Sequence, residues 1–225
     1  MCIERKYKNT LNATLQIEFM KYKILLAVLM IPFLAKSQTR EKDLQLGFTL
    51  SPTLSWLTNG GNELTSEGSK AGFSYGVLAD FGFAKNYYFS TAFTLTSLNS
   101  EGKRSDKSID NYHLQYIEIP LTLKLKSNPS GPGRFYGQFG LGTGINVSAK
   151  KDVTSALGTT SKDVSISSDV NVFRLGLIAG AGAEWSIGKN LSGLTGITFN
   201  NGFTKTFSDV DVKNPFITLQ LGIFF

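Results

Sequence analysis

Cysteine occurs once in the 225 residues, as Cys2, and histidine once, as His113. A single amino-terminal cysteine excludes a disulfide framework and a cysteine metal or redox centre in the rest of the chain. It also removes the lipoprotein route, which needs a cysteine at the cleavage point. Charge is sparse, with Asp, Glu, Lys and Arg making up 18% of residues. Six of the 23 basic and two of the 17 acidic residues lie in positions 1–37, so the remaining chain carries 17 and 15 and is close to neutral. A nucleic-acid partner needs a basic patch or stripe, and none is visible. Glycine is absent before Gly47, and helical periodicity is nearly absent after residue 38.

One apolar run stands out. Lys21 and Lys23 precede the apolar stretch Ile24 to Leu34, and Ala35-Lys36-Ser37 offers a small-x-small cleavage site before Gln38. That is the layout of a secretory signal peptide over residues 20–37. The run is too short for the ~20 residues of a helical span. Residues 1–19 are polar and read as an upstream extension, which makes Met20 the expected start.

Beyond the leader the pattern is period-two alternation, the signature of half-buried strands. Leu44, Leu46, Phe48, Leu50 and Leu54 share one face, and Gln45, Gly47, Thr49, Ser51 and Thr53 the other. The same reading gives eight strands, with long polar connections at 57–70, 98–110, 149–168 and 204–213. Short turns fall at 84–86, 126–133 and 187–190. The expected fold is all-β: one eight-stranded antiparallel up-and-down barrel over residues 38–225. Long loops at one end and short turns at the other are the habit of transmembrane barrels.

Alternation alone leaves open which face points inward, because a soluble lipocalin-like barrel alternates equally well. Composition decides for lipid outside. The face opposite the apolar one is rich in Gly, Ser, Thr and Asn rather than Lys and Glu, and small residues suit the cramped interior of eight strands. Aromatics gather at strand ends (Trp56, Phe81, Phe83, Tyr87, Phe89, Phe135, Trp185, Phe203), as in interfacial girdles. The terminal Phe225 closes an alternating strand and resembles an outer-membrane assembly signal.

The segment Tyr116-Ile117-Glu118-Ile119-Pro120-Leu121-Thr122-Leu123-Lys124 resembles the Y-x-E-I-P-L-x-x-K stretch of PorT-like outer-membrane β-barrel proteins. The run Tyr136 to Gly142 is similar to the aromatic-glycine strand that follows it there. The resemblance implies an eight-stranded barrel in a Gram-negative outer membrane and, for the family's namesake, a part in protein secretion. Pro120 and Pro52 should each mark a local kink or bulge, since proline removes a ladder hydrogen bond.

By parity Asp80, Glu118, Lys124, Arg174 and Glu184 face the lumen and must be paired or hydrated there. Two functions follow from that network: a structural, envelope-interacting barrel, or a narrow porin-like channel for small polar solutes. A soluble periplasmic lipid-binding barrel is the third reading. Ser108, Asp110 and His113 have the residue types of a hydrolytic triad, but they occupy a polar loop-to-strand junction without a nucleophile elbow. No enzyme, metal or cofactor is expected. The expected partners are outer-membrane lipid, the barrel-assembly machinery and envelope or secretion-machinery proteins. Lipopolysaccharide could be met by Lys103, Arg104, Lys107, Lys150, Lys151 and Lys162. Amino-terminal sequencing of the protein from native envelopes should begin at Gln38; a start upstream of Met20 would contradict the leader.

Overall fold

The computed structural model describes residues 44–58, 64–188 and 190–225. The extension 1–19, the leader 20–37 and residues 38–43 lie outside the described residues. Ten strands are formed: β1 (Leu44–Trp56), β2 (Leu64–Ala84), β3 (Tyr87–Arg104), β4 (Ile109–Glu118), β5 (Leu121–Lys126), β6 (Gly133–Thr154), β7 (Thr160–Ser165), β8 (Phe173–Ser186), β9 (Ser192–Gly202) and β10 (Phe216–Phe224). β4 and β5 are a single wall strand interrupted at Ile119-Pro120, and β7 pairs only with β6. Eight strands therefore make the wall, as the alternation predicts. The ring closes where β1 meets β10, with Phe48 opposite Ile223 and Leu54 opposite Ile217.

Neither proline shifts the register of the ladder. Across Pro120 the ladder keeps its register on both sides, with Glu118 opposite Thr94 and Gly144, then Leu121 opposite Thr91 and Leu141. The strand is interrupted without a bulge; the bulge on this wall lies instead at Gln115/Tyr116 against β6. Pro52 also keeps register, and beside it two hydroxyls engage the backbone of Leu221. Leu221 N donates to Ser51 Oγ at 3.1 Å, and Thr49 Oγ1 donates to the Leu221 carbonyl at 2.8 Å.

The apolar faces point outward. Phe48, Phe73, Phe93, Phe139 and Ile197 are each more than half exposed, whereas Ser51, Thr53, Ser55, Thr96 and Asp80 on the other face are buried. The lipocalin-like alternative, with apolar side chains inside, is thereby overturned. Two glycines make the narrow interior possible: a Cβ at Gly182 or Gly196 would overlap the Tyr136 phenol that lies across them. Around the turn between β2 and β3, the Phe81 and Phe89 rings and the Phe83 and Tyr87 rings meet in tilted pairs, 6.5 and 6.3 Å between centroids. The tight turn between β2 and β3 is made by Asn86 at φ 68°, a conformation asparagine tolerates well.

Several strands outrun the membrane. β2 and β6 have 21 and 22 residues, against the ~9–11 that a tilted spanning strand needs. Outward positions on β3 show where the apolar belt stops: Phe89, Phe93 and Leu95 give way to Ser97, Asn99 and Glu101. Much of what reads as polar loop at 98–110 and 149–168 is thus strand rising above the belt. The polarity there reflects water outside the wall, not irregular backbone. Leu221 is the third of four outward apolar residues on β10. A charge at that depth in hydrocarbon should cost about 2–4 kcal/mol. The Leu221→Arg variant should lose stability of that order in urea unfolding from vesicles, and an unchanged midpoint would place the belt elsewhere.

Candidate functional site in the barrel lumen

Strand parity delivers the ionic side chains to the inside in two layers. The lower layer lies near the short turns. Asp80, on β2, receives Lys124 and Lys126, both from β5 and both at 2.9 Å. Lys126 also reaches Glu184 on β8 at 2.6 Å, and Glu184 accepts Arg134 from β6 at 2.8 Å. Ser90 donates to Asp80, and Gln45 accepts from Lys126 at 2.6 Å. The cations are further seated on rings, Lys126 at 4.0 Å from Tyr88 and Lys124 at 5.0 Å from Tyr136. Asp80, Lys124, Lys126 and Glu184 are all buried. Phe224 fills the space beside both lysines.

The second layer sits higher. Arg174 donates to Glu118 at 3.2 Å, to Asn200 at 3.1 Å and to the Asn214 carbonyl at 3.1 Å. Thr96 holds the other oxygen of Glu118 at 3.2 Å, and the guanidinium lies 4.7 Å from the Phe216 ring. Between the layers is a cavity of about 80 Å³, bordered by Glu118, Lys124, Gln138, Thr198 and Gln220. A water molecule occupies roughly 30 Å³ of liquid, so the space suits a few waters and no hydrated solute.

Above Arg174 the lumen turns apolar. Leu57, Leu98, Leu114, Tyr116, Ile166, Val170, Phe207 and Val212 form one buried cluster. The connections after β7 and after β9 fold inward to build it, tied together by a bridge between Val170 and Phe207. Sequence reading missed this cap because Ile166, Val170, Phe207 and Val212 lie in segments that look polar on average. Leu98 and Leu114 carried a usable signal: they are apolar residues at lumen parity. Lys126 and Arg134 were missed for another reason. Lys126 opens the 126–133 turn and Arg134 follows it, and extending the parity of Lys124 by two residues would have found Lys126.

At the rim of the cap, fully buried Asp110 binds Arg104 at 2.7 Å, Lys151 at 3.0 Å and Tyr112 at 3.1 Å. Burial and the Asp110 carboxylate push the Tyr112 phenol above its ordinary range. Arg104 and Lys151, two of the cations counted from sequence in the long loops, both reach Asp110. The triad residues are separated. Ser108 bonds Asp106 at 2.6 Å, and His113 points out of the wall to Asn99 at 3.1 Å. Of the PorT-like segment, Tyr116, Glu118 and Lys124 enter the lumen while Ile119 and Leu121 face outward. Pro120 borders the mid-lumen cavity. Phe225 is exposed, 5.6 Å from Phe48 across the closing seam.

Removing one member of a buried ion pair typically costs 3–5 kcal/mol, because the partner keeps its charge in a poor solvent. Asp80→Ala strands Lys124 and takes one of two carboxylates from Lys126, and should destabilise the barrel by about 3–5 kcal/mol, read as an earlier loss of the fast-migrating unheated gel band on a temperature series. A band as heat-resistant as the wild type would mean the lower layer is not a structural plug.

The sequence profile of the outer membrane protein beta-barrel domain family matches residues 35–208. No curated protein sequence matches the chain. Among solved structures it is similar to Neisserial surface protein A, at 14% identity over 80% of this chain and 95% of that one, TM-score 0.46. It is also similar to Ail of Yersinia pestis, at 16% identity over 83% and 100% of the chains, TM-score 0.42. OprG of Pseudomonas aeruginosa is similar at 10% identity over 82% and 96%, TM-score 0.48. With the profile match spanning well over half of its length, this chain belongs to the outer membrane protein beta-barrel domain family, and its place is the outer membrane.

Proposed function

We propose that this protein is a non-conducting, non-enzymatic barrel whose work is done at its ends, against other components of the envelope. The observation that carries the reading is the stack inside the wall: the Asp80–Lys124–Lys126–Glu184–Arg134 layer, the Glu118–Arg174 layer and the apolar cap. A pore for polar solutes needs a hydrated path, and each of these layers replaces water with protein. The porin-like alternative would require the two ionic layers and the cap to rearrange together.

The finer kinship with PorT-like barrels rests on Tyr116, Glu118, Ile119, Pro120, Leu121 and Lys124, three of which belong to the lumen stack. On that kinship, the partners are secretion or other envelope proteins meeting the loops above the belt. Lipopolysaccharide phosphates remain within reach of Lys107 and Lys162, both exposed. Phe225, at the open lipid-side edge of the seam, suits reading by the assembly machinery.

Planar-bilayer recordings of the detergent-extracted full-length protein test the closed lumen. The expected record shows no discrete steps above the lipid baseline in molar salt. Stable single-channel openings would favour the channel reading, and their loss in Glu118→Gln or Arg174→Gln would locate the path.

A further inference from the structure

A second cavity, of about 540 Å³, lies above the apolar cap at the long-loop end. Its floor is apolar and aromatic: Leu64, Tyr112, Ile166 and Phe207 are buried there, with the Tyr112 and Phe207 rings 4.9 Å apart. The side built from β3 and β6 is balanced in charge. Its two cations, Arg104 and Lys151, are both bound to Asp110. Asp110 is fully buried, and its second oxygen, Oδ1, has no hydrogen-bond partner among the described residues. In the turn after Arg104, Asp106 adds another carboxylate. The Ser108 hydroxyl and backbone N–H donate to it at 2.6 and 2.9 Å and hold it below the usual carboxyl range, so it stays charged. Two cations thus face two carboxylates, and no positive charge is left over. The connections after β7 and β9 are different. They supply Asp169 and Asp209, both exposed and linked through their backbones, with Ser208 N donating to the Asp169 carbonyl at 2.9 Å. Among the described residues no cation pairs with either. The Asp169 carboxylate accepts the Ser168 hydroxyl at 2.9 Å, and Lys205, on the same connection as Asp209, is taken by Asp211 at 3.4 Å.

An aromatic floor with uncompensated carboxylates beside it matches a ligand that is apolar at one end and positive at the other. We propose that this outer cavity binds an organic cation, a protonated primary amine on a ring-bearing apolar body. The ammonium meets Asp169 and Asp209, and the body lies on Tyr112 and Phe207. Aromatic rings suit both parts of such a ligand, since their faces attract cations as well as apolar groups. The volume falls in the ordinary range for small-ligand pockets, roughly 300–1,000 Å³. A neutral apolar ligand would leave the two aspartates without a counter-charge. An anion would be repelled by them and would find Arg104 and Lys151 already bound to Asp110. A bare metal ion lacks ligands, because no three His, Cys, Asp or Glu side chains among the described residues stand close enough to hold one. The site lies outside the membrane belt, and its use does not depend on whether the lumen conducts.

Isothermal titration of the full-length protein, extracted from native membranes in detergent and corrected for uptake by protein-free micelles, provides the test. The probe is tryptamine, an indole carrying a protonated amine. It is compared with tryptophol, which has a hydroxyl in place of the amine, and with indole-3-propionate. The expected result is saturable tryptamine binding that weakens by at least about tenfold for tryptophol, since the exchange removes charge-assisted hydrogen bonds. Indole-3-propionate should not bind. The exposed Asp169→Asn/Asp209→Asn double variant should bind tryptamine only as tightly as tryptophol while keeping the wild-type heat-modifiable band. Asp211→Asn, which removes an exposed carboxylate that does not line the cavity, should bind tryptamine as the wild type does. No saturable heat at millimolar tryptamine would overturn the proposal. So would equal binding of tryptamine and tryptophol, full affinity in the double variant, or an equal loss in Asp211→Asn.

Discussion

The seam between β1 and β10 is the joint on which the rest of the molecule depends. Hydrocarbon offers backbone groups no hydrogen-bonding partner, so a sheet in a membrane must close on itself. Here the first and last wall strands perform that closure, and one of them carries a proline. Beside Pro52 the hydroxyls of Ser51 and Thr49 engage the backbone of Leu221, Ser51 Oγ accepting from its N–H and Thr49 Oγ1 donating to its carbonyl. Phe225 N then donates to the Leu46 carbonyl at 2.9 Å, and the Phe48–Phe225 ring contact covers the outside of the joint. Once the ring is shut, side-chain direction is fixed all the way round.

Closure at eight strands also sets the problem that the lumen solves. The interior of an eight-stranded barrel is just wide enough for side chains to fill. Ionised groups there cannot rely on bulk water, so each must find a partner across the lumen. Asp80 and Glu184 meet cations from β5 and β6, and Glu118 meets Arg174 from β8. Except for Arg134–Glu184, which are directly opposite on neighbouring strands, these bridges connect strands that are not neighbours in the wall, which makes them cross-braces. A buried ion pair adds little net stability compared with well-packed apolar groups. Their contribution here is to fix which residues face inward, since a one-residue slip of any strand would turn its charges into lipid.

Much of this was legible in the chain. Period-two alternation located the wall strands and, with the Gly, Ser and Thr of the opposite face, gave the direction of the apolar side. Parity placed Asp80, Glu118, Lys124, Arg174 and Glu184 inside; Lys126 and Arg134 were missed because the turn was drawn from the first of them to the residue before the second. Segments 98–110 and 149–168 were misread because a strand surrounded by water on its outer face is as polar as a loop. The apolar cap was invisible for a related reason. Phe207 and Val212 are isolated in sequence and meet Leu98 and Leu114 only once the connections fold over the barrel. Pro120 was expected to mark a local kink or bulge; the strand is interrupted there, but proline removes one donor without requiring an extra residue, and register on both sides survives.

The central claim is that the polar face encloses a sealed interior while the apolar face meets lipid. Cysteine accessibility addresses it directly, since Cys2 is the chain's single cysteine and precedes the expected leader. Thr198→Cys and Ile197→Cys, adjacent residues on opposite faces of β9, would be compared in intact outer membranes with a water-soluble and a lipid-soluble maleimide. The account predicts that position 198 resists both reagents until the barrel is unfolded by heat, and that position 197 reacts with the lipid-soluble one. Prompt labelling of position 198 by the water-soluble reagent would contradict the sealed lumen.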